Sequence, residues 1–497
     1  MRRAGGVMLS QLALDREQST PLYRQLYLQL RQLILNGVLP PGCRLPSTRT
    51  LAKELDVSRI TVISVFDQLL AEGFLISQAG SGTYVNAEVQ HQVQQIPSNR
   101  NPIPRVSGWS LAMSRRSQRY TKIGKKTWYD YPNCFVPSSP AFDQFPRQVW
   151  NKLHNRYLHH PGIELLSYGD SRGYEPLREA LVDYLRDVRG LVCRKENIVV
   201  VTGATQAINY LGWLLLDAGD VVWMEDPGHV AARLAFSGTG ARVLPVPIDS
   251  QGIDVGYAET VLPQAKLLFS TPSRQHPLCI TMPMQRRLEL LQWAARADAW
   301  VIEDDCESEL YFHGRPPNAL YTLDPNSRVI YVGTLSKVMF PGLRLGYVVM
   351  PEELVEAWCA LCTVMDRPPP NFTQAVVADF MAEGHLISHI RRMRELYAGR
   401  QQRLVALLQQ HCGDFFELQQ AQAGLQLLAW LPPGLDDRQV SEAILQEGVD
   451  AYPLSHWSVN PNPRGALLLG FAGVPEAEMQ RGVKAMARAL RRQGWLS

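Results

Sequence analysis

The sequence predicts a multidomain chain: a small head of three helices and a β-hairpin, followed by a large α/β body with a mainly parallel sheet. Three observations carry this. At 497 residues the chain is too long for one ordinary core. Its first 85 residues show helical apolar spacing and then two short strand patterns around a Gly/Ser turn. Beyond residue 130, short near-continuous apolar runs alternate with amphipathic stretches, as in strands covered by helices on both faces.

In the head, Leu22, Leu26, Leu30, Leu33 and Ile34, with Tyr23 and Tyr27 alongside, recur at helical spacing until Asn36-Gly37 ends the pattern. After "LPPGCRLPS", Ser47 is placed to cap a second short helix that buries Leu51, Ala52 and Leu55. Asp56-Val57 form a turn, and Ser58 caps a third helix running through Leu70. That helix turns Val62, Val65, Phe66 and Leu69 inward and leaves Arg59 and Thr61 near its exposed N-terminal end. "GFLISQAGSGTYV" then predicts a hairpin wing. The sum is a winged helix-turn-helix, in which the third helix offers base-edge contacts from its first turn while cap hydroxyls, backbone N–H groups and arginines hold phosphates. The expected contacts to double-stranded DNA are Arg44, Ser47, Arg49, Ser58, Arg59, Thr61 and Gly82. Periodicity alone is equally compatible with three helices that merely pack.

Charge points the same way. Residues 1–85 hold nine Lys/Arg against six Asp/Glu, and residues 86–129 hold eight basic residues against one acid, Glu88. The remainder carries 33 basic and 40 acidic residues, so positive charge is gathered at the front, where it favours a polyanionic partner. Residues 86–130 open with "NAEVQHQVQQIPSNRNPIPRVSG", rich in Gln, Asn, Pro and Ser, and read as a linker. The basic "MSRRSQRYTKIGKK" within it is a candidate for extra phosphate screening. The expected organisation is a head at 1–85, a linker at 86–130 and a body at 131–497.

No apolar run reaches the roughly 20 residues of a membrane helix, and no hydrophobic segment follows Arg2 and Arg3, so a cytoplasmic location is expected. Eight irregularly spaced cysteines give no disulfide framework, and Cys359 and Cys362, a lone CxxC in an apolar helical context, predict burial rather than a metal site.

The body's predicted strands are "ENIVVVTG", "DVVWMED", "AKLLFSTP", "AWVIEDD", "RVIYVGT" and "LGYVVMP", and ligands gather at the carboxyl ends of strands in such sheets. In "GTLSKVMFPGLRLG", Lys337 follows one strand, flanked by Thr334 and Ser336, with Arg344 after a Pro-Gly bend. A lysine among positive charges can form a Schiff base with an aldehyde. Asp304 closes another strand, where a carboxylate can keep a pyridine nitrogen protonated. Gly203, Ala204 and Thr205 lie where a strand passes into a helix, a phosphate site made of N–H groups and a hydroxyl. An amine, an acid for a ring nitrogen and an anion cradle are what pyridoxal 5′-phosphate requires.

The segment from Pro21 to Gly73, with its "LPS-R-LA-L-VSR-TV" skeleton, resembles the GntR-type winged-helix domain. "YGDSRGYEPLREAL", "TGATQAIN", "EDPG", "TPSRQHP", "VIEDD" and "GTLSKVMFPGLRLGY" occur in the order found in fold type I aminotransferases. Joined, the two resemble the MocR/GabR type of transcriptional regulator over nearly the whole chain. The resemblance implies Lys337 as the aldimine lysine, Asp304 as the pyridinium partner, and Gly203, Ala204, Thr205, Thr334, Ser336 and Arg344 around the phosphate. It implies that Tyr168 reaches the phosphate of a neighbouring subunit, hence a head-to-tail homodimer.

Some positions depart from the family pattern. His229 replaces the aromatic that covers the ring, Cys306 replaces a tyrosine that bonds the ring oxygen, and Ser138 replaces a glycine. The segment from Arg274 to Cys279 replaces a His-Gln-Phe-Pro motif. Leu468 stands about where transaminases place the arginine that grips an α-carboxylate, with Arg464 as a candidate substitute. The expected function is therefore a regulator whose aminotransferase-like body senses pyridoxal phosphate or a small amine or amino-acid effector. A working aminotransferase with an accessory DNA-binding head, and a regulator that has lost the cofactor, are the alternatives.

Overall fold

The structure is a computed structural model describing residues 12–78, 80–88, 114–120, 134–159 and 161–496. It divides into two compact units, residues 1–112 and 113–497.

In the first unit, α1 (Leu22–Leu35), α2 (Thr48–Glu54) and α3 (Arg59–Ala71) precede an antiparallel hairpin of β1 (Leu75–Gln78) and β2 (Gly82–Val85). The anticipated caps are present: Ser47 Oγ accepts from Thr50 N, and Ser58 Oγ from Thr61 N, each at 3.1 Å. Val62, Val65, Phe66 and Leu69 join Leu26, Leu30, Ile34 and Leu51 in one apolar core. Tyr23 is exposed, whereas Tyr27 is buried and its hydroxyl donates to Glu72 at the end of α3. Because its hydroxyl ties the first turn of α3, Ser58→Ala is expected to lower the head's stability by about 1 kcal/mol, read as a shift in its denaturation midpoint.

Only part of the span 86–130, expected as a linker, is described by the structure. Residues 89–113 and 121–130 lie outside the described residues. Between them α4 (Arg115–Tyr120) belongs to the second unit, where the Arg116 guanidinium sits 5.7 Å from the Trp213 ring centroid. That arginine packs on the body instead of hanging in a free connector.

The body is built on an eight-stranded sheet. Its strands are β3 (Ile198–Val201), β4 (Val221–Asp226), β5 (Arg242–Asp249), β6 (Gly252–Ile253), β7 (Leu267–Ser270), β8 (Trp300–Asp305), β9 (Val329–Thr334) and β10 (Gly346–Val349). Their order is β3-β10-β9-β8-β7-β4-β5-β6, parallel from β9 through β5 and antiparallel at β10 and β6. All six anticipated strands form. Period-two alternation explains their continuous apolar runs: Ile198 and Val200 feed the core on one face while Val199 and Val201 feed the other. The unanticipated β5 carries Pro245 and Pro247, tolerated because its outer side pairs only at Ile248 and Asp249.

Between the strands, α5 (Ala204–Leu215) follows β3 and α6 (Val230–Gly238) follows β4. A second, antiparallel sheet contains β11 (Glu417–Gln419), β12 (Gln426–Trp430), β13 (Tyr452–Pro453) and β14 (Ala466–Gly470), in the order β11-β12-β14-β13. Among the described residues no helix is long and apolar enough to cross a membrane.

Candidate functional site

A cavity of about 440 Å³ opens at the carboxyl ends of the parallel strands. Gly203, Ala204, Thr205, His229, Asp304, Thr334, Ser336, Lys337 and Arg344 all line it, together with Ser138 and Cys306. Nine of the ten anticipated cofactor residues thus converge. Tyr168 does not line it: the side chain is 75 % exposed and lies under the Arg367 guanidinium.

One end of the cavity is an anion cradle. Gly203 has φ 111°, a conformation costly for any residue with a Cβ, and it turns β3 into the N-terminus of α5. The first N–H groups of a helix have no partner within it, so they face whatever lies at that end. The Arg344 guanidinium lies across Gly203, 3.7 Å from where a Cβ would stand. Ser336 N donates to Thr334 Oγ1 at 3.2 Å, folding the loop after β9 so that both hydroxyl residues and Lys337 reach the cavity.

The opposite requirement is met at the end of β8. Asp304 is buried, and its Oδ1 has no hydrogen-bond partner. Burial, reinforced by the neighbouring Asp305 charge, pushes its pKa up to about 7, while Lys337 pulls it down. Asp304 lines the cavity, and an unpartnered buried carboxylate oxygen calls for a donor, which a protonated ring nitrogen supplies. The residues present therefore fit a pyridoxal phosphate: acid, amine and anion cradle border one space.

His229 caps α6, its Nδ1 accepting from Ala232 N at 3.1 Å. Burial brings its pKa down to about 4, with Lys337 adding to the effect, so the ring is neutral and fixed in orientation. Burial also holds the Cys306 thiol well above its usual pKa, so it presents a protonated sulfur.

Lys337 Nζ donates to the Ser138 carbonyl at 3.3 Å. Ser138 has φ 59°; its N–H donates to Gln426 Oε1 at 2.9 Å and its hydroxyl to Glu307 Oε1 at 3.4 Å. Glu307 in turn takes Arg274 Nη1 at 2.5 Å, and Arg274 Nη2 donates to the Gln426 carbonyl at 2.8 Å. Arg274, read from sequence only as a lost motif, thus anchors the loop that holds the lysine. Gln275 of the same segment donates to Glu225 and to the Pro227 carbonyl, fixing the turn after β4.

Sequence reasoning missed His276, His456 and Trp457 on the cavity wall. Asp226 at the end of β4 accepts from Val459 N and Asn460 N, and Gly228 N donates to the Trp457 carbonyl, latching that distant loop to the site. Separations of more than 200 residues leave no local pattern to find. One expectation is corrected: Arg464 does not reach the cavity. Its Nε donates to the Leu431 carbonyl at 2.6 Å and its Nη1 pairs with Glu417 at the edge of the second sheet.

In the head, Arg44, Ser47, Arg49, Ser58 and Arg59 are exposed, and Thr61 and Gly82 are half-buried. Arg44 forms a β-bridge with Tyr84, and its side chain lies over Gly82, where φ is 122° and a Cβ would come within 2.8 Å of Nε. The glycine lets arginine and wing share one surface. The Thr61 hydroxyl is engaged with Ser58 Oγ at 2.8 Å. Beside them Ile60 is 75 % exposed on the first turn of α3, an apolar residue out of phase with the buried stripe and overlooked in the sequence.

A DNA-binding winged head joined to an aminotransferase body is the class of protein these two units define. Residues 139–486 match the family of aminotransferase class I and II, and residues 22–85 match the bacterial regulatory proteins, gntR family. The chain is 38 % identical over 96 % of its length, and 95 % of the relative's, to the "Probable rhizopine catabolism regulatory protein MocR" of Rhizobium meliloti. It is 31 % identical to the HTH-type transcriptional regulator TauR of Rhodobacter capsulatus, covering 93 % of this chain and 96 % of that one. The α-aminoadipate aminotransferase LysN of Thermus thermophilus, solved with N-(5′-phosphopyridoxyl)-L-leucine, is 27 % identical, with a TM-score of 0.70 over 77 % of this chain and 98 % of its own. The protein belongs to the MocR-type HTH transcriptional regulators, which join a GntR winged helix to an aminotransferase-like domain.

Proposed function

We propose that the body binds pyridoxal 5′-phosphate through Lys337, and that this binding, together with an amine effector, sets the affinity of the head for its operator in a homodimer. The observation that carries the reading is the unpartnered Asp304 Oδ1, buried on the same cavity as Lys337 and the Gly203–Arg344 cradle. The phosphopyridoxyl ligand of LysN, on a body of the same fold, supports it.

In this reading the bound cofactor supplies an aldehyde carbon that exchanges one amine for another. The chain's residues do the rest. Arg344, Ser336, Thr334 and the N-terminus of α5 hold the phosphate. Asp304 takes the ring nitrogen, whose positive charge returns its carboxyl toward the ionised state. His229 covers the ring as a neutral imidazole. The Ser138 carbonyl orients Nζ of Lys337. Tyr168, exposed in its own subunit, reaches the partner's phosphate. A ligand alters operator affinity only by preferring one arrangement of the chain over another.

The test is operator affinity of the full-length protein, on a duplex selected from a random pool, with and without saturating pyridoxal phosphate. At least a tenfold change is expected, and an unchanged affinity overturns the sensing function. On the DNA side, Arg59→Ala is expected to cost about 1–3 kcal/mol of specific binding. Ile60→Ala is expected to relax preference at a thymine, whose methyl group an apolar side chain contacts, while leaving the salt dependence unchanged. Binding to matched and substituted duplexes at two salt concentrations separates the two.

A further inference from the structure

We infer that the effector taken by this cavity is a primary amine with no carboxylate beside its amino group, an inference that rests on the cofactor reading above. It follows from where the cations of the site are committed. Among the described lining residues, the lysine and arginine side chains are Lys337 and Arg344. Lys337 is the amine that must be displaced, and Arg344 lies over Gly203 in the phosphate cradle. The remaining lining bases, His229, His276 and His456, are all pushed toward the neutral form by burial.

Arg274, Arg233 and Arg481, whose Nη2 stands 3.9 Å from Glu478, do not line the cavity. Arg274 is 6 % exposed, with Nη1 given to Glu307 and Nη2 to the Gln426 carbonyl and Cys279 Sγ. Arg233 does not line the cavity, and its Nη1 donates to the Trp457 carbonyl at 3.4 Å. Position 468 is filled by a fully buried leucine, paired across the sheet with Leu428 and Tyr452. Leu468 belongs to an apolar cluster with Leu278, Leu428, Leu454 and Trp457, of which Trp457 reaches the cavity. Glu478 also lines it and offers an acid, not a base, to an incoming carboxylate. A carboxylate beside the effector's amino group would be desolvated with no further cation among this subunit's described lining residues to meet it, whereas a neutral body suits the apolar wall formed by Trp457 and its neighbours.

The exchange is balanced without an oxidant. With the cofactor bound through Lys337, the effector nitrogen would take over the double bond to the aldehyde carbon as the double bond from that carbon to Lys337 Nζ is given up, and the two protons lost by the effector amine would pass to Nζ, leaving it a free primary amine.

The test titrates the full-length protein, loaded with pyridoxal phosphate, with two pairs that differ only by the carboxylate: ethanolamine against L-serine, and 2-phenylethylamine against L-phenylalanine. Visible absorbance and operator affinity are both read. The amine of at least one pair is expected to half-saturate at a concentration at least tenfold below its amino acid, and neither amino acid to bind the better of its pair. Equal or tighter binding of the amino acids overturns the inference while leaving the cofactor reading intact, as does a visible band that none of the four compounds alters. A protein that acquires no visible band on loading overturns the cofactor reading, and this inference falls with it.

Discussion

Lys337→Ala is expected to lose covalent cofactor retention altogether and, with it, the response of operator binding to pyridoxal phosphate. Lys337 is the one lysine among the described lining residues, so no neighbouring primary amine can take its place. The phosphate cradle is untouched by the substitution, and residual non-covalent binding should persist. A fall in affinity of at least about a hundredfold, equivalent to about 2.8 kcal/mol, is expected. The fold should survive, because the half-buried side chain makes a single 3.3 Å hydrogen bond to the Ser138 carbonyl. Equilibrium dialysis and the circular dichroism melt separate the two effects: cofactor affinity collapses while the melting temperature of the cofactor-free protein stays within a few degrees of wild type.

The second large effect concerns stability. Arg189 and Asp305 form an ion pair at 2.7 Å with each side chain 1 % exposed. Arg189 also donates to Ser273 Oγ at 3.1 Å, and Asp305 accepts from the Tyr331 hydroxyl at 2.7 Å. Arg189→Met leaves a carboxylate buried without its counter-charge, one residue from Asp304. Removing one partner of such a pair costs about 3–5 kcal/mol, whereas replacing both by apolar side chains of similar volume is often nearly neutral. Urea denaturation of the full chain should therefore show a large loss for Arg189→Met, and the double variant Arg189→Met with Asp305→Leu should recover part of it. If the double variant were as unstable as the sum of the two single ones, the pair would not be the source of the effect.

The sequence exposed those parts of the fold and site that depend on short-range pattern. Ser47 and Ser58 were legible as caps because a helix start is written within four residues, and the inward stripe of α3 because its period is local. Lys337, Asp304 and Gly203 were legible because each sits at the carboxyl end of an apolar strand, where the sheet geometry places ligands. Arg274 was not, because its meaning lies in Glu307 and Gln426, 33 and 152 residues away. Trp457 is held at the cavity by contacts of Asp226 with Val459 and Asn460 and of Gly228 with its own carbonyl, all more than 200 residues away in sequence. Arg464 was misread as a substitute clamp because its position just before β14 carries it to the sheet edge and Glu417. The six-residue α4 is too short to show a period against a background of polar residues.

The central claim is a covalent bond between one side chain and a vitamin B6 aldehyde. It is tested most directly by loading the wild-type protein with pyridoxal phosphate, reducing it with borohydride, and mapping the modified peptide by mass spectrometry. The account predicts the reduced cofactor on Lys337 and its absence from Lys337→Ala treated alike; modification of a different lysine in the wild type, or of none, would contradict it.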